Sequence, residues 1–85
     1  MNYTIISTET PAFDGIRKVL NIDANGNKYT VCYMVWDIDE PESRITSRRT
    51  VDTIDEAYRI YEKIARMMAT GCYSDEDRRQ ILQTA

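Results

Sequence analysis

Four carboxylates crowd into the six residues "DIDEPE": Asp37, Asp39, Glu40 and Glu42. Hard cations favour such oxygens, so the cluster has the donors for weak Mg²⁺ or Ca²⁺ binding. It also has the charge of an acidic recognition patch, and a solvated loop explains it with neither. Upstream, Asp23, Asn25 and Asn27 have the alternate spacing of the first ligands of an EF-hand calcium loop. The match stops there. The glycine needed at the sixth position is Lys28, the glutamate needed at the twelfth is Met34, and the flanks read as strands. A hairpin turn accounts for all three residues, and neither a metal nor a cofactor is expected.

Catalytic chemistry is equally thin. Histidine, the usual general base, is absent, and Ser7, Ser43, Ser47 and Ser74 adjoin nothing resembling a nucleophile motif. Cys32 falls mid-strand, where a thiol behaves as a small hydrophobe. Cys72 follows the long helix, where Arg78 or Arg79 can lower a thiol pKa, yet no base and orienting group accompany it. Two cysteines without histidine make neither a zinc signature nor a disulfide framework. No glycine-rich loop is present to cradle a phosphate. The expectation is a protein that is not an enzyme.

Arginines offer another chemistry. Arg44, Arg48 and Arg49 in "SRITSRRT" can meet phosphates from an edge strand, with Tyr29, Tyr33 or Trp36 as stacking surface. Arg48 and Arg49 alternate across a strand, so only one of them faces any given surface. The formal charge of −3 and pI near 4.8 weigh against nucleic acid as the main partner. Acids outnumber bases in residues 1–42 and bases narrowly outnumber acids in residues 43–85, giving a polar axis without a basic tail.

At 85 residues the expectation is one α+β domain spanning 1–85, with a small core. "MNYTIIST" lacks the basic and apolar regions of a signal peptide, and no apolar run approaches the roughly 20 residues of a membrane span. A soluble, cytoplasmic protein is expected.

The elements that position these residues follow from pattern. "YTIIS" (Tyr3–Ser7) reads as a first strand, then "TETPAFDG" as a loop, and Ile16–Asp23 as a second strand. Asn25-Gly26 signals a type I′ hairpin, which needs positive φ at both central residues. If those two form the loop, cross-strand partners sum to 51. Ile22 then faces Tyr29, Leu20 faces Val31, Lys18 faces Tyr33 and Ile16 faces Val35, all on one face. The other face pairs Asn21 with Thr30, Val19 with Cys32 and Arg17 with Met34, with Trp36 beyond. "DIDEPES" should break the strand, and Arg44–Val51 should form a polar edge strand guarded by its arginines.

Thr53 and Glu56 form a capping box ahead of a long helix whose apolar stripe runs Ile54, Ala57, Tyr58, Tyr61, Ile64, Ala65 and Met68, ending at Gly71. A short final helix starts at Ser74, with Asp75, Glu76 and Asp77 at the positive end of its dipole and Ile81 and Leu82 able to dock. The fold expected is therefore α+β: a small antiparallel sheet of three or four strands with an Asn25-Gly26 hairpin, packed on one long C-terminal helix plus a short final helix.

The long helix should cover the Ile16, Leu20, Ile22, Tyr29, Val31 and Val35 face. That leaves Val19, Cys32, Met34 and Trp36 as an apolar patch with a Trp anchor and an adaptable Met, rimmed by Arg17 and the "DIDEPE" acids. It serves either as an interface or as core beneath the first strand, Phe13, or Ile81 and Leu82. This build is generally similar to that of many short proteins of phage and mobile elements, some of which block a host complex by binding it. The likeness lies in size and architecture and transfers no residue roles. The functional expectation is a protein-binding module, a homodimer or a small inhibitor, whose acidic loop can mimic phosphates toward a basic partner. The alternative is a nucleic-acid accessory protein.

Overall fold

A computed structural model describes residues 2–10, 14–70 and 74–84. Strands β1 (Asn2–Thr10), β2 (Ile16–Asn25), β3 (Lys28–Asp37) and β4 (Glu40–Val51) precede helices α1 (Ile54–Thr70) and α2 (Asp75–Thr84). The strands form one antiparallel meander in the order β1-β2-β3-β4, so β1 and β4 are its edges. The α+β fold with a long helix and a short final one is thus present, with four strands.

The central hairpin corrects the expected turn. Asn25 is not a loop residue. It pairs with Lys28 in the ladder, and its Nδ2 donates to Thr30 Oγ1 at 2.7 Å. Gly26-Asn27 form the connection, and only Gly26 has positive φ, at 63°. Glycine at the first central position, followed by an ordinary residue, is the requirement of a type II′ turn. Partners consequently sum to 53. Leu20 faces Tyr33, Ile22 faces Val31, Val19 faces Met34, Asn21 faces Cys32, and Arg17 faces Trp36. The register moves by two residues, one full side-chain period, so every residue keeps its expected face while changing its partner.

Two other strands run longer than their patterns indicate. β4 begins at Glu40, not Arg44, because Ile38-Asp39 make a tight turn. The Asp39 N–H donates to Asp37 Oδ1 at 2.9 Å, and the Asp37 N–H donates to Ser43 Oγ at 3.0 Å. Pro41 fits there because an edge strand need not offer every donor. β1 extends to both sides of Tyr3–Ser7, with a register shift between Thr4 and Ile6 that lets Ile5 and Ile6 both pack against the core.

Both helices lie on one side of the sheet. Leu20, Ile22, Val31, Tyr33 and Val35 meet Ala57, Ile60, Tyr61, Ile64 and Met68 of α1 and Leu82 of α2 in one apolar cluster. Ile54 instead leaves the core and is exposed, while Ile60 and Met67 are buried. The stripe is rotated slightly from the expected one, using apolar residues on its flank. Glu56 N–H donates to Thr53 Oγ1 at 3.2 Å, which satisfies one free donor of the first turn of α1. At α2 the box is reciprocal: Asp77 N–H donates to Ser74 Oγ, and Ser74 N–H to Asp77 Oδ2. The expected roles of Pro11, Phe13, Gly71 and Cys72 fall outside the described residues.

A buried arginine ties α2 to the sheet. Arg78 is 3% exposed. Its Nη1 donates to Asp75 Oδ1 at 2.9 Å and to the Tyr33 hydroxyl at 3.3 Å, and its Nη2 donates to the Met67 carbonyl at 3.3 Å. The Tyr33 hydroxyl donates to Asp75 Oδ1 at 2.7 Å. Burial, then this bond to a carboxylate, pushes the Tyr33 pKa up to about 12.

Candidate functional site: the open sheet face

Alternation along β2 and β3 sends Leu20, Ile22, Val31, Tyr33 and Val35 toward the helices, so Val19, Asn21, Cys32, Met34 and Trp36 must face the other way. Among the described residues no helix lies across that second face. Ile81 and Leu82, one possible cover, belong to the helix-side cluster, and β1 joins the sheet at its edge.

The face is built in rows across the strands. Arg17 and Trp36 share the first row, with Arg44 folded over the indole, its guanidinium carbon 4.7 Å from the ring centroid. That places a cation on the electron-rich face of the ring and fixes one side of it. Glu9, Val19, Met34 and Thr46 make the second row, and Ser7, Asn21, Cys32 and Arg48 the third. Thr4, Asp23, Thr30 and Thr50 make the fourth, closed by hydrogen bonds from Thr4 to Asp23 and between Thr30 and Thr50. Trp36, Met34 and Val19 are half-buried, whereas Cys32 is 4% exposed beneath its neighbours.

Burial pushes the Cys32 thiol above its ordinary pKa. Nearby Arg48 partly opposes that rise, and Asp23 adds to it. Protonated and enclosed, the thiol has the character of a packing group more than of a nucleophile.

Charges on this face are uneven. Arg17 Nε pairs with Glu9 Oε1 at 2.8 Å, while neither Arg44 nor Arg48 has a carboxylate partner among the described residues. The structure therefore brings two of the three candidate arginines, Arg44 and Arg48, to the Trp36 patch. Arg49 sits opposite Val31, on the helix side of the sheet.

Asp37, Asp39, Glu40 and Glu42 gather at one end of the sheet and not within the patch. The Ile38 N–H donates to the Gly15 carbonyl at 3.0 Å, which brings Asp14 to the same end. Sequence spacing gave no hint of Asp14, because the link is between loops more than twenty positions apart. The Asp14 and Asp37 carboxylates cap their own loops by accepting from Ile16 and Asp39. Among the described residues, no group of three or more metal-ligating side chains converges, and no helix is long and apolar enough to cross a membrane.

Comparisons with protein-family models, curated proteins and solved structures returned no match. The functional reading therefore rests on the geometry of the chain itself.

Proposed function

We propose that the protein is a non-enzymatic protein–protein interaction module whose open sheet face docks a larger protein. The supporting observation is the segregation of both helices onto the Leu20–Tyr33 side, with Val19, Met34 and Trp36 left half-buried on the other. A half-buried Trp beside a Met is the kind of anchor on which binding energy concentrates. The partner's chemistry follows from the rim: among the described residues Arg44 and Arg48 have no carboxylate partner, so the complementary surface is an apolar site bordered by Asp or Glu. A module of this size acts by occupying that surface, so inhibition is the expected outcome wherever the surface is functional.

The test uses wild type and a Met34→Ala/Trp36→Ala double variant, each as bait for cellular proteins, with direct binding of any candidate after purification. The double variant should keep the wild-type circular dichroism spectrum and lose a partner that binds the wild type directly. An unfolded double variant would mean that the face is core, and equal binding by both proteins would place the site elsewhere.

One observation favours a second reading. Arg17, Arg44 and Arg48 share a face with Trp36, the combination that lets single-stranded nucleic acid stack and be neutralised on a sheet. Titration with a single-stranded oligonucleotide at low and moderate salt decides it, because phosphate contacts impose a steep salt dependence. No binding at low salt ends this reading.

A further inference from the structure

The two edges of the sheet differ in how they are protected. β4 carries Pro41 and five charged residues, Glu40, Glu42, Arg44, Arg48 and Arg49, along its twelve positions. Charges and proline on an edge are the usual safeguards against strand addition. β1 is far less guarded: five of its nine residues are β-branched, it contains no proline, and its single charge, Glu9, is paired with Arg17 of β2. Its register shift between Thr4 and Ile6 divides the ladder into Asn2–Thr4, paired with Asp23–Asn25, and the longer run Ile6–Thr10, paired residue for residue with Lys18–Ile22. Those five residues have one side bonded to β2 and the other at the edge of the sheet.

We propose that Ile6–Thr10 pairs antiparallel with the same segment of a second copy, joining two sheets into one of eight strands. A two-fold axis through Thr8 sets Ser7 opposite the second copy's Glu9 and Ile6 opposite its Thr10. No like charges then oppose each other, and each pair shares a sheet face as antiparallel pairing requires. On β4 the same operation through Thr46 opposes Arg44 with Arg48, one through Arg48 or Arg49 opposes that residue with itself, and Pro41 removes a backbone donor, so the second copy is assigned to β1. An axis perpendicular to the sheet keeps each face on its own side, so the four helices share one side and the two Trp36 faces merge into one surface on the other. Five residues a side bury less than the roughly 1,000 Å² of a stable interface, so the dimer forms in a concentration-dependent equilibrium. This inference does not depend on the identity of the partner proposed for the open face.

Sedimentation equilibrium of the full chain from micromolar to sub-millimolar concentration tests it, with Ser7 as the lever because its side chain is exposed and holds no core contact. Ser7→Asp sets a carboxylate opposite Glu9 on each side of the axis, two like-charge pairs in all, and should weaken dimerisation about tenfold. Ser7→Lys places a cation opposite Glu9 and should preserve or tighten the dimer. Unchanged thermal unfolding of both variants at low concentration shows that the monomer is intact. A chain that stays monomeric throughout overturns the proposal, as does a dimer indifferent to both Ser7 substitutions. A dimer lost instead in Met34→Ala/Trp36→Ala also overturns it, and moves the second copy to the open face.

Discussion

The two faces of this sheet are built from alternate residues of the same strands, yet they are buried by different means. On the helix side Leu20, Ile22 and Val31 are fully enclosed between two layers. On the open side, where no helix lies across the sheet among the described residues, the small Cys32 and Thr30 are buried between larger neighbours while Met34 and Trp36 remain half-buried. Enclosure between layers removes apolar surface from water on all sides and demands shape complementarity. Lateral cover does neither completely. The helix side should therefore govern stability, and the open side should tolerate change that recognition does not.

Leu20→Ala is the sharpest test of that difference. It empties a fully buried site facing α1 and should cost about 3 kcal/mol, whereas Met34→Ala on the open face should cost about 1 kcal/mol or less. Paired urea titrations give both numbers. Equal losses would mean that the open face is packed as tightly as the core, which would remove the basis for reading it as an interface.

The next effect concerns how α2 is held on the helix side. Asp75→Ala leaves the Arg78 guanidinium, 3% exposed, without its carboxylate and should cost about 2 kcal/mol. Part of Asp75 is in contact with water, which keeps the figure below that of a fully enclosed pair. A thermal shift as small as that of a surface substitution would show that Arg78 finds another acceptor.

Much of this division was legible in the sequence, for a definite reason. A period of two makes face assignment indifferent to a two-residue slip, so the pattern sends Val31 and Tyr33 toward the helices and Cys32, Met34 and Trp36 away from them whichever of the two turns forms. The turn itself is not legible, because Asn-Gly carries a strong local preference while Asn25 is kept in the ladder by a contact with Thr30 of the facing strand. The burial of Arg78 is hard to read because "DEDRRQ" has the composition of a solvated helix. A signal existed: Asp75, Arg78 and Leu82 fall on one helical stripe, so docking Leu82 turns Arg78 inward with its acidic partner. The convergence of Arg44 with Trp36 had no such signal, since it depends on the β3–β4 register, in which Met34 pairs with Thr46 and Val35 with Ile45, and that register is not fixed by any turn motif in the sequence.

A smaller effect separates the faces by pH. Tyr33→Phe removes one buried hydroxyl but leaves Asp75 paired with Arg78, so it should cost about 1 kcal/mol near neutrality. The folded-state pKa of Tyr33, about 12, lies above the ordinary 10.0, so folding favours the neutral phenol. That contribution is complete below pH 10 and is lost as pH rises through about 12. The wild type should lose its advantage over Tyr33→Phe across that window. A difference constant from neutrality to pH 12 would show that the hydroxyl is solvated instead of locked between α2 and the sheet.

The smallest expected effect reports on the open face alone. Trp36 is the only tryptophan in the chain, so its fluorescence follows that face without interference from the core. Arg44 stacks at 4.7 Å on an exposed strand, where a cation–π contact is worth about 0.5 kcal/mol. Arg44→Gln should therefore leave the unfolding midpoint nearly unchanged while shifting Trp36 emission to longer wavelength and increasing quenching by acrylamide. A helix-side residue with the same contact would do the reverse, changing stability with little effect on quenching, because the neighbouring layer would still exclude solvent. If emission and quenching stay at wild-type values in Arg44→Gln, something other than the guanidinium covers the indole, and the face is more closed than its residues indicate.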